Sequence, residues 1–145
     1  MGWRKVRVTL DTNILVRAFT GDDPKQAAVA RSLLDHATLV VIPIPALCEF
    51  VWVLSRAFKL PATEIADALV QIIDTETILT DISAAEAGIE MLRKGGDFAD
   101  GAIAVQGMAS GGNIFTSFDK KALELWKNRG GHASSPEELI TALDR

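Results

Sequence analysis

The chain is predicted to fold as an α/β protein, a three-layer α/β/α sandwich with a central, mostly parallel sheet. Short apolar runs alternate with longer segments of helical periodicity, which is the pattern of strands joined by crossover helices. Capping residues and glycine pairs stand where these helices would begin and end. The 145 residues suit one domain, and neither a repeat nor a linker interrupts them. We therefore expect a single domain over residues 1–145.

In the first half of the chain, each predicted strand leads into a helix. The segment VRVTL alternates apolar and polar residues, and the helical sequence ILVRAF follows it. Residues 23–26, DPKQ, supply an N-cap, a first-position proline and a capping-box glutamine, so a second helix should run to about His36. The apolar run LVVIP predicts a buried strand. Two further helices are predicted to start at Pro45 and Pro61.

The second half continues the alternation. Residues 76–80 predict a strand, and SAAE at 83–86 predicts a capping box for a helix that ends at Gly95-Gly96. Another helix should start at Asp97, and NIFTS, residues 113–117, should form a short apolar strand. Asp119 and Ser135 are then expected to cap the last two helices. In parallel α/β proteins ligands bind beyond the carboxyl ends of the strands, where Asp11 and Asp119 are expected.

Composition limits the classes of function. The net charge of −4 and the pI of about 5.1 argue against a protein that holds nucleic acid by bulk electrostatics alone. The single cysteine, Cys48, lies in an apolar segment and suits a reducing compartment. No uncharged stretch approaches the roughly 20 residues that a membrane-spanning helix needs. We therefore expect a cytoplasmic protein that does not enter a membrane.

Four carboxylates lie at the end or in the middle of apolar stretches: Asp11, Glu49, Asp100 and Asp119. Glu49 is the only charged residue between Thr38 and Leu54, which predicts a buried position. An unpaired buried carboxylate costs several kcal/mol and is normally neutralised, paired or bound to a metal. A divalent cation held by acids from distant segments would account for all four.

Each acid also has an ordinary interpretation when it is taken alone. Asp119 and Asp97 could be N-caps. Asp100 could be a first-turn acid that interacts favourably with the positive end of the helix dipole, and Asp11 could stabilise a turn. When the four acids are taken together, their oxygen ligands favour Mg²⁺ or Mn²⁺ over Zn²⁺. Clusters of acids that bind Mg²⁺ are commonly used to cut phosphodiesters. The alternative chemistry is a covalent aspartyl nucleophile, as in haloacid-dehalogenase-like phosphatases, although Asn13 stands where those proteins have a second Asp.

Across nearly its whole length the chain resembles the PIN-domain ribonucleases, and within them the VapC-type toxins. Four segments carry the resemblance: LDTNILVRAFTGDDP, CEFVWVLSRAF, DFADGAIA and NIFTSFDKKA. They are similar to the four acidic motifs of the family, in the family's order and at its usual spacing.

The resemblance implies a role for each candidate residue. It assigns the catalytic, metal-binding quartet to the four carboxylates, and Asp97 to an accessory acid. Thr12, Asn13 and one of Thr116 or Ser117 would lie at the site and position Asp11 or a metal-bound water by hydrogen bonds. Lys120 and Lys121 are the better of several candidates for contacts with RNA phosphates. Gly101 stands where relatives commonly carry Ala, and we expect it to loosen the turn beside Asp100.

The resemblance also implies a Mg²⁺- or Mn²⁺-dependent endoribonuclease, the toxin of a type II toxin-antitoxin pair. It further implies a homodimer and a small antitoxin protein that obstructs the acidic site. Two alternatives stay open from the residues themselves. One is an RNA-processing nuclease of the same fold outside a toxin pair, and the other is a non-catalytic module whose acids bind a basic partner.

Overall fold

The computed structural model describes residues 6–145, which contain eight helices and three strands. The chain divides into two compact units, the first ending at Ile82 and the second spanning Ser83–Arg145. Among the residues described, no helix is long and apolar enough to cross a membrane.

The first unit contains a parallel sheet in the order β1-β2-β3. Val8 pairs with Val40, which in turn pairs with Ile78. Each strand is followed by a helix, so the predicted α/β fold class is confirmed. The elements of this unit are β1 Arg7–Thr9, α1 Thr12–Thr20, α2 Pro24–His36, β2 Leu39–Val41, α3 Ile44–Arg56, α4 Ala62–Ile73 and β3 Ile78–Leu79.

Local sequence explains where these helices start. The Asp23 carboxylate accepts a hydrogen bond from the backbone N–H of Gln26 at 3.1 Å, and Pro24 occupies the first turn of α2. The capping-box prediction for Gln26 is wrong, because its side-chain oxygen accepts from Arg17 Nε at 2.8 Å instead. Pro43 and Pro61 are the residues before α3 and α4. Both predicted starts of these helices are therefore correct to within one residue.

One face of α3 is fully buried, and this face sets the orientation of the helix. Leu47, Phe50 and Leu54 are completely inaccessible to solvent. They recur at three- and four-residue spacing, so they lie on one side of the helix. The opposite side of α3, which carries Glu49, is left facing solvent.

The second unit is helical. Helix α5 begins at Ile82, so the predicted capping box at Ser83 is wrong and that residue lies inside the helix. The predicted strand at residues 113–117 is also wrong, because only Phe115 forms a bridge, with Ala133. A single bridge leaves the neighbouring backbone without the repeated pairing that defines a strand. The helices are α5 Ile82–Arg93, α6 Phe98–Ala109, α7 Lys120–Asn128 and α8 Pro136–Leu143.

A small core holds these helices together. Leu123 and Trp126 of α7 pack with Ala87 of α5 and Ala104 of α6. The ring of Phe115 packs edge-on against Trp126 at 6.2 Å between centroids. The loop before α7 is therefore attached to the core of this unit.

Candidate functional site

Asp11 lies just beyond the carboxyl end of β1, as expected. Leu10 continues the sheet by donating its backbone N–H to the carbonyl of Val41 at 2.9 Å. Asp11 then caps α1, and its Oδ1 accepts the backbone N–H of Thr12 at 2.8 Å. The carboxylate is exposed. Asp11 thus combines an ordinary capping role with access to a ligand from solvent.

Thr12 connects this strand end to Glu49. The threonine is only 5% exposed, and its Oγ1 lies 3.0 Å from Oε2 of Glu49 and 3.5 Å from the carbonyl oxygen of Ala46. An ionised carboxylate can only accept a hydrogen bond, so the threonine hydroxyl donates to it. This bond holds the side chain of Glu49 next to the residue that follows Asp11.

The prediction that Glu49 is buried is wrong. Its side chain is exposed, and so is that of Trp52 one turn later, which is 62% accessible. Residues three and four apart share one side of a helix, and the apolar residues around Glu49 belong to the other side. Burial therefore gives no reason for a cation at Glu49. The support for a functional role comes from the contact with Thr12.

Asn13 is exposed and does not share the buried setting of Thr12. It lines a cavity of about 500 Å³ beside α1 and α2, together with Arg17 and Lys25. Arg17 is held there by Asp22, whose Oδ2 lies 2.9 Å from its Nη1. Asn13 consequently adjoins a pocket whose lining includes two basic side chains, one of them paired with an acid.

In the second unit Asp97 and Asp100 begin α6. Asp97 occupies the N-cap position, yet its side chain makes no capping hydrogen bond. Asp100 is half-buried in the first turn. Its burial, followed by the negative charges of Asp97 and Asp119, raises the pKa of Asp100 above the ordinary value for Asp. We call Asp97, Asp100 and Asp119 the acidic group of this unit, because the charges of the first and third act on the second.

The position of Asp100 depends on close contact between α5 and α6. A Cβ on the buried residue Gly101 would lie 2.5 Å from the carbonyl oxygen of Ala87. A Cβ on Gly88 would lie 2.5 Å from the ring of Phe98. The two glycines let the helices approach closely, so Gly101 tightens the packing beside Asp100. The expectation that it loosens this turn is not supported by the packing.

Asp119 caps α7 through one oxygen. Its Oδ1 accepts from the backbone N–H groups of Lys121 at 3.0 Å and Ala122 at 3.2 Å, and the carboxylate is exposed. Ser117 Oγ accepts the backbone N–H of Asp119 at 3.0 Å, whereas Thr116 is exposed. Ser117 is therefore the hydroxyl that bonds the backbone of Asp119, and which of the two hydroxyls serves the candidate site stays a prediction.

Lys120 and Lys121 follow directly after Asp119, and both are exposed. They place two positive charges next to the acidic group of the second unit. This placement suits contacts with phosphate oxygens, which carry negative charge.

The donor set suits a hard cation. Carboxylate oxygens and threonine or serine hydroxyls are the side chains that Mg²⁺ and Mn²⁺ prefer over nitrogen and sulfur ligands. Within residues 6–145, no three His, Cys, Asp or Glu side chains form a group that could hold a metal ion. Mg²⁺ usually takes only one or two protein carboxylates and completes its shell with water and substrate phosphates. The carboxylates of each unit fit that requirement.

Phe118 was not among the predicted site residues, although it stands between Ser117 and Asp119. Its side chain is 81% exposed. The signal that could have identified it is an aromatic residue in a polar segment, directly beside a candidate acid and two lysines.

A family model described as PIN domain matches residues 8–126. No curated protein matches the chain. The matched range includes all four candidate carboxylates and ends near the C-terminus of α7.

Proposed function

The chain belongs to the PIN domain family, and we propose that it is a Mg²⁺- or Mn²⁺-dependent endoribonuclease of the VapC type. A PIN domain indicates a nuclease, and RNA is the usual substrate of PIN nucleases. The proposal extends this general activity to a specific reaction, the hydrolysis of internal RNA phosphodiester bonds.

The observation that carries the proposal is the group around Asp100. Burial, and then the negative charges of Asp97 and Asp119, make the ionised form of Asp100 unfavourable. A bound cation would offset this penalty. Carboxylates with a pKa shifted in this way are typical of functional sites.

We propose Asp11, Glu49, Asp100 and Asp119 as the catalytic residues and the metal ligands. When bound, a divalent cation activates water and stabilises the charge that develops on the phosphate. Thr12 orients Glu49 through its hydroxyl.

The accessory residues act on these ligands or on the substrate. Ser117 fixes the backbone of Asp119, and Asp97 adds negative charge near Asp100. Asn13 and Thr116 would contact water or RNA from their exposed positions. Lys120 and Lys121 would contact RNA phosphates and reduce the repulsion between the acids and the RNA backbone.

We further propose that the protein is the toxin of a type II toxin-antitoxin pair. It would act in the cytoplasm as a homodimer and be inhibited by a small antitoxin protein. Exposed apolar side chains such as Trp52 and Leu79 offer surface for such partners. An adjacent small reading frame would support this role, and its absence would favour the alternative of an RNA-processing nuclease.

The nuclease proposal is tested by substituting single acids. Asp11→Asn and Asp100→Asn should each reduce Mn²⁺-dependent RNA cleavage by on the order of 100-fold or more, because each removes a ligand charge worth several kcal/mol in the transition state. Growth arrest on expression should be lost as well. The control is Asp74→Asn, an exposed acid at the end of α4. Cleavage that survives both substitutions would contradict the assignment.

Metal binding is tested without knowledge of the RNA target. Saturating Mn²⁺ should raise the melting temperature of the wild type, since a ligand of the folded state stabilises it by mass action. The rise should disappear in Asp100→Asn. No rise in the wild type would favour the non-catalytic partner-binding module.

A further inference from the structure

The loop before α7 presents an aromatic ring to solvent beside the candidate acids. Phe118 is 81% exposed and directly precedes Asp119. A single exposed apolar side chain is ordinary on a protein surface. The backbone on either side of this ring and the charges around it are therefore what indicate its role.

The backbone on both sides of Phe118 is fixed. Before it, Phe115 donates its N–H to the carbonyl of His132 at 2.9 Å and accepts from the N–H of Ser134 at 3.0 Å. After it, Asp119 donates its N–H to Ser117 Oγ and caps α7. Because the backbone is already held by these bonds, little backbone freedom is lost when the ring of Phe118 binds a ligand.

The residues that follow Phe118 supply complementary charge. Lys120 and Lys121 are exposed, so an aromatic ring, an acid and two cations occur within four residues. Nucleic-acid sites combine aromatic rings, which stack on bases, with lysines, which contact phosphates. A purely apolar partner would gain nothing from the two lysines.

We propose that Phe118 stacks on an unpaired nucleobase of the RNA substrate, next to the phosphate that is cut. This inference rests on the proposed ribonuclease function and deepens it. A base inside a duplex already has a stacking neighbour on each face, whereas a base in a loop or single strand can leave its neighbours and stack on an aromatic side chain. The substrate class is therefore RNA with an unpaired nucleotide at the cleavage position.

The test measures RNA binding separately from cleavage. All variants carry Asp100→Asn, in which cleavage is expected to be lost, and fluorescence anisotropy follows a short labelled single-stranded RNA. Phe118→Ala should weaken binding roughly 5- to 150-fold, the range for loss of one base-stacking contact. Phe118→Trp should bind as tightly as the parent or more tightly, and Phe118→Leu should resemble Ala because it lacks a flat ring.

Two controls separate stacking from other effects. Ile140→Ala removes a 60% exposed apolar side chain from α8 and should leave binding unchanged. The same RNA annealed to its complement should bind the Phe118 variants and the parent equally.

Three outcomes would overturn the inference. They are unchanged binding in Phe118→Ala, full binding in Phe118→Leu, and an equal loss on single-stranded and duplex RNA. Full binding in Phe118→Leu would show that an apolar contact, and not the stacking of a flat ring, holds the RNA. These failures would leave wild-type cleavage intact, whereas failure of the proposed function would abolish Mn²⁺-dependent cleavage by the wild type itself.

Discussion

In the first unit the carboxylate of Glu49 accepts a hydrogen bond from the Thr12 hydroxyl, whereas in the second unit burial, and then the negative charges of Asp97 and Asp119, raise the pKa of Asp100. One acid is oriented by a neutral donor, and the ionised form of the other is disfavoured first by burial and then by like charges. A candidate metal ligand can therefore be prepared for a cation in two ways. A hydrogen bond can fix the orientation of its side chain, or its surroundings can disfavour its negative charge, which a bound cation would then stabilise.

The largest expected effect concerns the frame that holds Asp100. Gly101→Ala should destabilise the protein by about 1–3 kcal/mol, because the new Cβ would overlap the backbone of Ala87. Gly107→Ala is the matched control in the same helix, where a Cβ meets nothing within 4 Å. That substitution should stabilise by about 0.5–1 kcal/mol, and urea unfolding of both variants measures the difference. Equal effects would show that the α5–α6 contact does not set the position of Asp100.

The next effect concerns the hydrogen bond in the first unit. Thr12→Val should lower the free energy of unfolding by about 1 kcal/mol, the usual size of one lost hydrogen bond. It should also weaken Mn²⁺ binding about 10-fold, because Glu49 loses the donor that orients it. Thr12→Ser keeps the hydroxyl and should retain both properties. The melting temperature of each variant, measured over a series of Mn²⁺ concentrations, gives its Mn²⁺ affinity. If Thr12→Val binds Mn²⁺ as tightly as Thr12→Ser, Thr12 does not orient Glu49.

A smaller effect, of opposite sign, is expected at Asp100. Its pKa is raised in the folded state, first by burial and then by Asp97 and Asp119. Stability from the protonated form is present below the unfolded pKa and is lost as pH rises through the raised folded pKa. At neutral pH the ionised group therefore lowers the free energy of unfolding, and Asp100→Asn should stabilise the metal-free protein.

Urea unfolding at a series of pH values checks this prediction. The advantage of Asp100→Asn over the wild type should shrink as pH falls, because the wild-type carboxylate becomes neutral. A variant that is less stable than the wild type at neutral pH would assign Asp100 a structural role.

The smallest effect is expected at Asp97. Asp97→Asn should lower the pKa of Asp100 toward its ordinary value, because it removes the larger of the two charge contributions. Global stability should change little through helix capping, since the Asp97 side chain makes no capping hydrogen bond. NMR titration of the Asp100 carboxyl measures the shift, with Asp144→Asn as a control. An unchanged pKa would remove Asp97 from the acidic group.

Much of the fold could be predicted because its signals are local. The prediction for α2 matches its observed end at His36, and the residues DPKQ supply the cap that starts it. The wrong strand prediction falls where pairing depends on a distant segment of the chain. Residues 113–117 have strand-like composition, but only Phe115 finds a bridging partner, Ala133.

The candidate site was predictable as a set of residues, and its assignment as a metal-binding quartet stays a prediction. The residue types and motifs single out the acids, and the family match covers them. What could not be predicted was the exposure of Glu49, since an apolar helix segment does not reveal which side the core will cover. The donor to Glu49 is Thr12, 37 residues away. No pattern in either segment indicates that contact.

The sequence by itself determined the alternation of strands and helices, the capping residues and the chemistry of the candidate ligands, because these depend on neighbours within one or two helical turns. The tertiary structure alone decided that Glu49 is exposed and held by Thr12, and that Asp100 carries a raised pKa. It also decided that Gly101 must lack a side chain. The physical reason is common to all four features. Solvent access, hydrogen bonding, electrostatic repulsion and steric overlap depend on which distant segment lies nearby, and packing alone sets that distance.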